Sequence, residues 1–295
     1  MNINDKISRK SFIKSSGLLL AAPFLSKFDI AMPAPSKIGL QLYTLRDEIS
    51  KDLEGTLRKV ANIGYKEVEL FGYGDGKFFG KSPKELKTLL AKYNLKPVSG
   101  HYGAGVENKK AKGTLSNDWE RAIDDAAEVG QKFAVCAYLT DNERKSIDDY
   151  KRYVDLFNKA GETAKKAGIQ FAYHNHDFEF FNLNGELPYD YIAGKTDPKL
   201  VKLELDLYWV VKAGLDPLQL FKQYPGRFPL WHVKDMDKSD KSFAAVGTGS
   251  IDFKKIFASR KLAGLSNFFV EQDVAKEPVF DAIKTSFKNV KALKV

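Results

Sequence analysis

From Lys37 onward, short apolar runs alternate with segments whose apolar residues recur at helical period, at intervals of about 30 residues. That rhythm marks repeated strand and helix units and a parallel sheet. Eight runs read as strands: Ile38 to Tyr43, Glu67 to Phe71, Lys96 to Gly100, Lys132 to Tyr138, Ile169 to His174, Val201 to Leu205, Phe228 to Val233 and Asn267 to Val270. The helical segments are Leu53 to Ile63, Pro83 to Tyr93, Asn117 to Val129, Ile147 to Ala167, Tyr189 to Gly194, Pro217 to Tyr224, Phe253 to Ala258 and Pro278 to Leu293. Ser82 before Pro83 and Asp216 before Pro217 place a capping side chain ahead of a proline at the first helical position.

Eight strands with a helix after each close most readily into a (β/α)8 TIM barrel. An open doubly wound sheet is expected to carry a glycine-rich nucleotide turn after an early strand. The group Gly72-Tyr73-Gly74-Asp75-Gly76 lacks that order and opens no helix, so it reads as a mobile loop over the barrel mouth. A single barrel domain is expected over residues 35–295.

Residues 1–34 differ in character. A basic stretch from Ser8 to Lys14 is followed by an apolar one from Gly17 to Leu25 and then by Ala31-Met32-Pro33-Ala34, the order of an export signal. It resembles the twin-arginine type, with Lys10 where the second arginine belongs. A periplasmic location is expected, without a stable membrane anchor, because the apolar stretch is too short to span a bilayer as a helix.

In such a barrel the reactive groups belong at the carboxyl ends of the strands. All four histidines, His101, His174, His176 and His232, lie at those ends, together with Glu69, Asp206, Lys234, Glu271 and Asp273. Side chains two apart share a face of a strand. Turning Asp206, His232 and Glu271 inward leaves Leu205, Val233 and Val270 to pack outward against helices, as the apolar pattern demands. Carboxylate and imidazole ligands suit a divalent ion such as manganese, cobalt, zinc or iron, with magnesium a further candidate. Glu69, His101, His176 and Trp209 are candidates for binding substrate hydroxyls or a sugar face. Lys234 stabilises an enediolate oxygen or pairs with Glu204 inside the barrel.

The formal charge of +9 comes from basic residues spread along the chain and mixed with acidic ones, which describes a solvated surface and not a nucleic-acid groove. The single cysteine, Cys136, sits in an apolar strand and reads as a core thiol. Gly247-Thr248-Gly249-Ser250 is the nearest approach to a phosphate cradle. A small-molecule partner is expected, and no nucleic acid. Assembly into a homo-oligomer stays open.

The segments Tyr173-His174-Asn175-His176-Asp177-Phe178-Glu179-Phe180, Leu205-Asp206-Leu207-Tyr208-Trp209, His232-Val233-Lys234-Asp235 and Val270-Glu271-Gln272-Asp273 resemble the sugar phosphate isomerase/epimerase family of xylose-isomerase-like barrels. The resemblance runs from Lys37 to the carboxyl terminus. It implies a metal held by residues of strands five to eight and two glutamates that move a proton between adjacent carbons of a ketose. Asp206, His232 and Glu271 carry over as ligands, and Glu271 as a base. Where many members read Glu-Asn-His, this chain reads His174-Asn175-His176, so His174 takes a glutamate's place as fourth ligand. A histidine bound to a metal is a poor base, which makes Glu179 the candidate for the missing carboxylate. The resemblance therefore implies a metal-dependent isomerase or epimerase acting on a sugar or keto-sugar, with a lyase or hydrolase on inositol ketones or 3-keto sugars as an alternative. A carbohydrate-binding barrel without catalysis is a third reading.

Overall fold

The computed structural model describes residues 37–294; the expected export signal over residues 1–34 lies outside them. Eight parallel strands close into one barrel. In chain order they are β1 (Gly39–Gln41), β2 (Glu67–Leu70), β3 (Lys96–Tyr102), β4 (Phe133–Cys136), β5 (Gln170–His174), β6 (Val201–Asp206), β7 (Leu230–Val233) and β8 (Asn267–Val270). Each pairs with the next, and β1 pairs with β8 through Gly39 with Phe269 and Leu40 with Val270. All eight expected strands are present. The third runs two residues beyond its expected end, which makes His101 a strand residue and fixes its inward direction.

The helices fall where the pattern puts them. Pro83–Lys92 opens with a full capping box, Ser82 and Glu85 each binding the other's backbone amide. Asp216 caps Pro217–Gln223 by accepting from Leu218 N at 2.9 Å. Ile147–Lys166 comes so close to β6 that a Cβ on Gly161 would stand 2.7 Å from Leu200 O, so only glycine fits there. Leu205, Val233 and Val270 are wholly buried in the layer between barrel and helices. Inside the barrel, Val98, Val135, Ala172, Leu230 and Phe269 form an apolar plug. The Phe269 ring fills the space at Gly39, where a Cβ would meet it at 2.5 Å. This plug is the floor on which the polar layer of the mouth stands.

The glycine group after β2 departs from expectation. Tyr73–Gly74 pairs antiparallel with Lys77–Phe78 as a small hairpin, and Tyr73 Oη donates to Asp125 Oδ2 at 2.5 Å. A loop tied down by that phenol and by the buried Phe78 ring is an ordered wall, not a free flap.

Candidate functional site

The residues directly above the plug follow the two-residue period of each strand. Glu69 of β2, His101 of β3, His174 of β5, Glu204 and Asp206 of β6, His232 of β7 and Glu271 just past β8 all turn inward. His232 is central and wholly buried. Its Nδ1 is 2.7 Å from Glu271 Oε2 and 4.0 Å from Asp206 Oδ2, while its Nε2 is 2.6 Å from Glu69 Oε2. His174 reaches Glu204 Oε2 through Nδ1 at 3.0 Å and faces Asp206 Oδ2 through Nε2 at 3.7 Å. Two groups of ligand atoms therefore meet at His232: Asp206, His232 and Glu271 in one, and His101, His174, Glu204 and His232 in the other.

Lys234 bridges the rim. Its ammonium is 3.0 Å from Asp206 Oδ2, 2.8 Å from Glu271 Oε2 and 2.9 Å from Asp273 Oδ2. The expected pairing with Glu204 does not form, because Lys234 stands one strand period higher and meets carboxylates at its own level.

The charges tune one another. Burial opposes ionisation of Glu271, yet Lys234 and His232 hold its carboxyl well below the usual range. Glu69 is held low in the same way by His101 and His232. Glu204, buried and facing Glu69, is pushed up to about 7. His101 is raised to about 10 because its two carboxylate partners outweigh burial. Burial keeps His176 down at about 3, so its imidazole is neutral.

Above this layer opens a cavity of about 770 Å³, bordered by His101, His174, His176, Trp209, Lys234 and Glu271, with Tyr43, Phe71 and Phe243 on its walls. Of Glu69, Glu204, Asp206 and Glu271, only Glu271 borders it. His176 Nδ1 and Trp209 Nε1 are buried and have no hydrogen-bond partner among the described residues, while the two rings line the cavity. His176 stacks on Phe178, and its ring is 5.3 Å from that of Trp209.

Two expectations are corrected. Glu179 does not join the site. It lies in the turn Phe178–Phe180, accepts from Tyr173 Oη at 2.5 Å and from His176 N at 2.8 Å, and is wholly buried away from the cavity. Beyond the end of β5 the strand period no longer sets its direction, so it turns toward the helix layer. The Gly247 to Ser250 segment is no phosphate cradle either. Its amides are already taken: those of Gly247 and Gly249 by Asp235 at 2.8 and 2.9 Å, and those of Thr248 and Ser250 by Ala245 O and Met236 O. An internal carboxylate fills the anion position. Sequence reasoning in turn missed Glu204 as part of the centre, although a glutamate two residues before Asp206 in an otherwise apolar strand was the signal.

Burial pushes the Glu179 carboxyl up to about 7, against the hydrogen bonds it accepts. A carboxyl whose pKa rises on folding favours the native state below its unfolded value near 4.5, and that contribution is lost as pH rises toward 7. The urea midpoint of the wild-type chain is expected to fall between pH 5 and about 8, and Glu179→Gln to flatten that part of the profile. Parallel profiles for the two proteins would show that Glu179 is ionised in the native state at little cost.

The fold and the centre together define a (β/α)8 barrel with carboxylate and imidazole ligands gathered at the carboxyl ends of its strands. A family model described as xylose isomerase-like TIM barrel matches residues 57–278, and the chain belongs to that family. Among curated relatives, an inosose dehydratase of Lacticaseibacillus casei is 26% identical over 269 residues, covering 79% of this chain and 88% of its own. Among solved structures, a sugar phosphate isomerase/epimerase of Parabacteroides distasonis superposes with a TM-score of 0.76 at 30% identity, covering 88% of this chain and 94% of that one. The IolI protein, solved with a zinc atom, superposes with a TM-score of 0.69 at 18% identity over 87% of this chain and 97% of its own, a likeness of fold.

Proposed function

We propose that this chain is a metal-dependent lyase that removes water from a cyclic polyhydroxy ketone of the inositol-ketone or keto-sugar class. The observation that carries the reading is an asymmetry at the cavity surface. Epimerisation through two bases needs a carboxylate on each face of the substrate. Here Glu271 supplies one face, but His174 and the neutral His176 occupy the other, and Glu179 is turned away. Elimination needs one base and one proton donor instead, and Glu271 with Lys234, 2.8 Å apart, is such a pair. The inosose dehydratase relative supports the same choice, since its named reaction is an elimination.

The donor set fits a divalent ion. Asp206, His232 and Glu271 bring ligand atoms within 4.8 Å of one another, a carboxylate and imidazole set that suits such an ion. These residues would hold the ion, which when bound polarises the ketone and stabilises the charge that develops on its oxygen. Glu271 takes the proton from the carbon beside the carbonyl. The electron pair moves in to form a carbon–carbon double bond as the hydroxyl on the next carbon departs, taking a proton from Lys234 and leaving as water. The product is an α-hydroxyenone, and Glu271 returns its proton to Lys234. His176 and Trp209 line the cavity and contact the ring of the substrate. The amino-terminal pattern adds that the protein acts outside the cytoplasm, and the filled anion position beside Asp235 favours an unphosphorylated substrate.

The manganese- or zinc-loaded chain, incubated with an inositol ketone in deuterium oxide, is expected to release one water per turnover, seen as the mass loss and as ultraviolet absorption of the enone. Deuterium entering recovered or isomeric ketose without loss of water would replace the lyase by an isomerase or epimerase. A chain inert to every keto-polyol would remove the enzymatic reading.

A further inference from the structure

Below Asp206 and Glu271 lies a second group that the lyase reading does not use. His101 Nε2 is 3.1 Å from Glu69 Oε2 and 2.8 Å from Glu204 Oε2, and His174 Nδ1 is 3.0 Å from the same Glu204 oxygen. Glu69 and Glu204 have no solvent exposure. Their side-chain partners are imidazoles, with Gln41 Nε2 added at 2.7 Å from Glu69. Among the described residues no lysine or arginine pairs with either, and Glu69 Oε1 and Glu204 Oε1 have no hydrogen-bond partner. Metal binding requires neutral imidazoles, and with those neutral two wholly buried carboxylates need a cation, which a bound metal ion supplies.

The upper group differs, because Lys234 already serves Asp206, Glu271 and Asp273. Once a metal has displaced the His101 proton and the imidazoles are neutral, those three carboxylates with Glu69 and Glu204, set against one ammonium, carry a formal charge of −4. One divalent cation removes half of it, and two remove all of it. Spacing agrees. Metal–ligand bonds of about 2.0–2.1 Å in a tetrahedral shell set the ligand atoms roughly 3.3 Å apart, so the 2.8–3.1 Å separations need only a small expansion.

We propose that His101, His174 and Glu204 bind a second divalent cation of the zinc, cobalt or manganese class, one layer beneath the ion held by Asp206, His232 and Glu271, with Glu69 beside them. The two sites divide His232 without competing for one nitrogen. Nδ1 faces the upper site, while Nε2 lies 2.6 Å from Glu69 and 3.3 Å from Glu204, carboxylates placed to orient a metal-bound imidazole. His174 then belongs to the lower ion through Nδ1 and faces Asp206 only across 3.7 Å. The inner ion ties β3, β5 and β6 together at the floor of the cavity.

The test is a metal count and an anomalous-scattering map on the full chain after removal of metal and equilibration with zinc. Two ions per chain are expected, with one peak inside His101, His174 and Glu204 and the other inside Asp206, His232 and Glu271. Glu204→Gln and His101→Gln should each lower the count to one and abolish the inner peak. A single ion bounded by Asp206, His232 and Glu271 overturns the inner site and leaves the lyase reading standing. A single ion in the inner group keeps the inner site and removes the upper one, and no ion at all removes both. Because the decisive map is made on the unsubstituted chain, a variant that folds poorly does not decide the matter.

Discussion

Glu271→Gln is expected to lower turnover of a keto-polyol by about 10²–10⁴-fold while substrate binding changes only a few-fold. Glu271 is the only one of the four inward carboxylates at its level and below that borders the cavity. Lys234 and His232 keep it ionised, at 2.8 and 2.7 Å, so it is in the unprotonated form that a base requires. An amide in its place has nearly the same shape but cannot take a proton, and it turns a donor toward the Lys234 ammonium. Kinetics separate this from loss of affinity, since calorimetric titration with the ketone should still report binding. Turnover retained within tenfold of wild type would assign the proton transfer to another group. Glu271 is also an expected ligand, so the metal content of the variant is measured alongside. A variant that keeps its metal and loses turnover isolates the base function.

The largest stability effect is expected at Asp235, which sequence reasoning noticed only as a neighbour of His232. Its carboxylate is wholly buried and accepts four backbone amides, those of Met236, Gly247, Gly249 and Ile251. It holds closed the loop between the hairpin strands Asp235–Met236 and Phe243–Ala244 and the helix Phe253–Ala258. The packing admits nothing larger than glycine at 249, where a Cβ would approach Met236 O within 2.3 Å. Asp235→Ala leaves four donors without an acceptor in a site too tight for ready hydration. At about 1–3 kcal/mol for each unsatisfied group, partly relieved by loop opening, the variant should lose on the order of 3–5 kcal/mol. Asp235→Asn, which keeps one oxygen, should fall between the two in urea denaturation. A loss below about 1 kcal/mol for the alanine variant would show that the loop is not held by these bonds. Its proximity to Lys234 means that the same variant should also loosen the rim of the site.

The sequence determined a great deal on its own. The alternation of apolar runs with helical segments located all eight strands, and their number implied closure. The two-residue period of a strand said which side chains point inward, so Asp206, His232 and Glu271 were legible as neighbours, with Leu205, Val233 and Val270 on the opposite face. What the period carries is direction, not height. Which inward residues stand at one level depends on the stagger between neighbouring strands, and that is fixed only when the barrel closes. A register shift between Val68 and Glu69 is part of that stagger. For this reason the tertiary structure alone brought Glu69 and His101 to His232, put Glu204 beneath Asp206, and gave Lys234 to Asp206, Glu271 and Asp273 instead of Glu204. It also turned Glu179 away and filled the glycine loop with Asp235, because both lie past a strand end where backbone turns set direction. The sequence thus named the side chains that face the interior. Closure of the barrel decided which of them share a layer, and so which can share an ion.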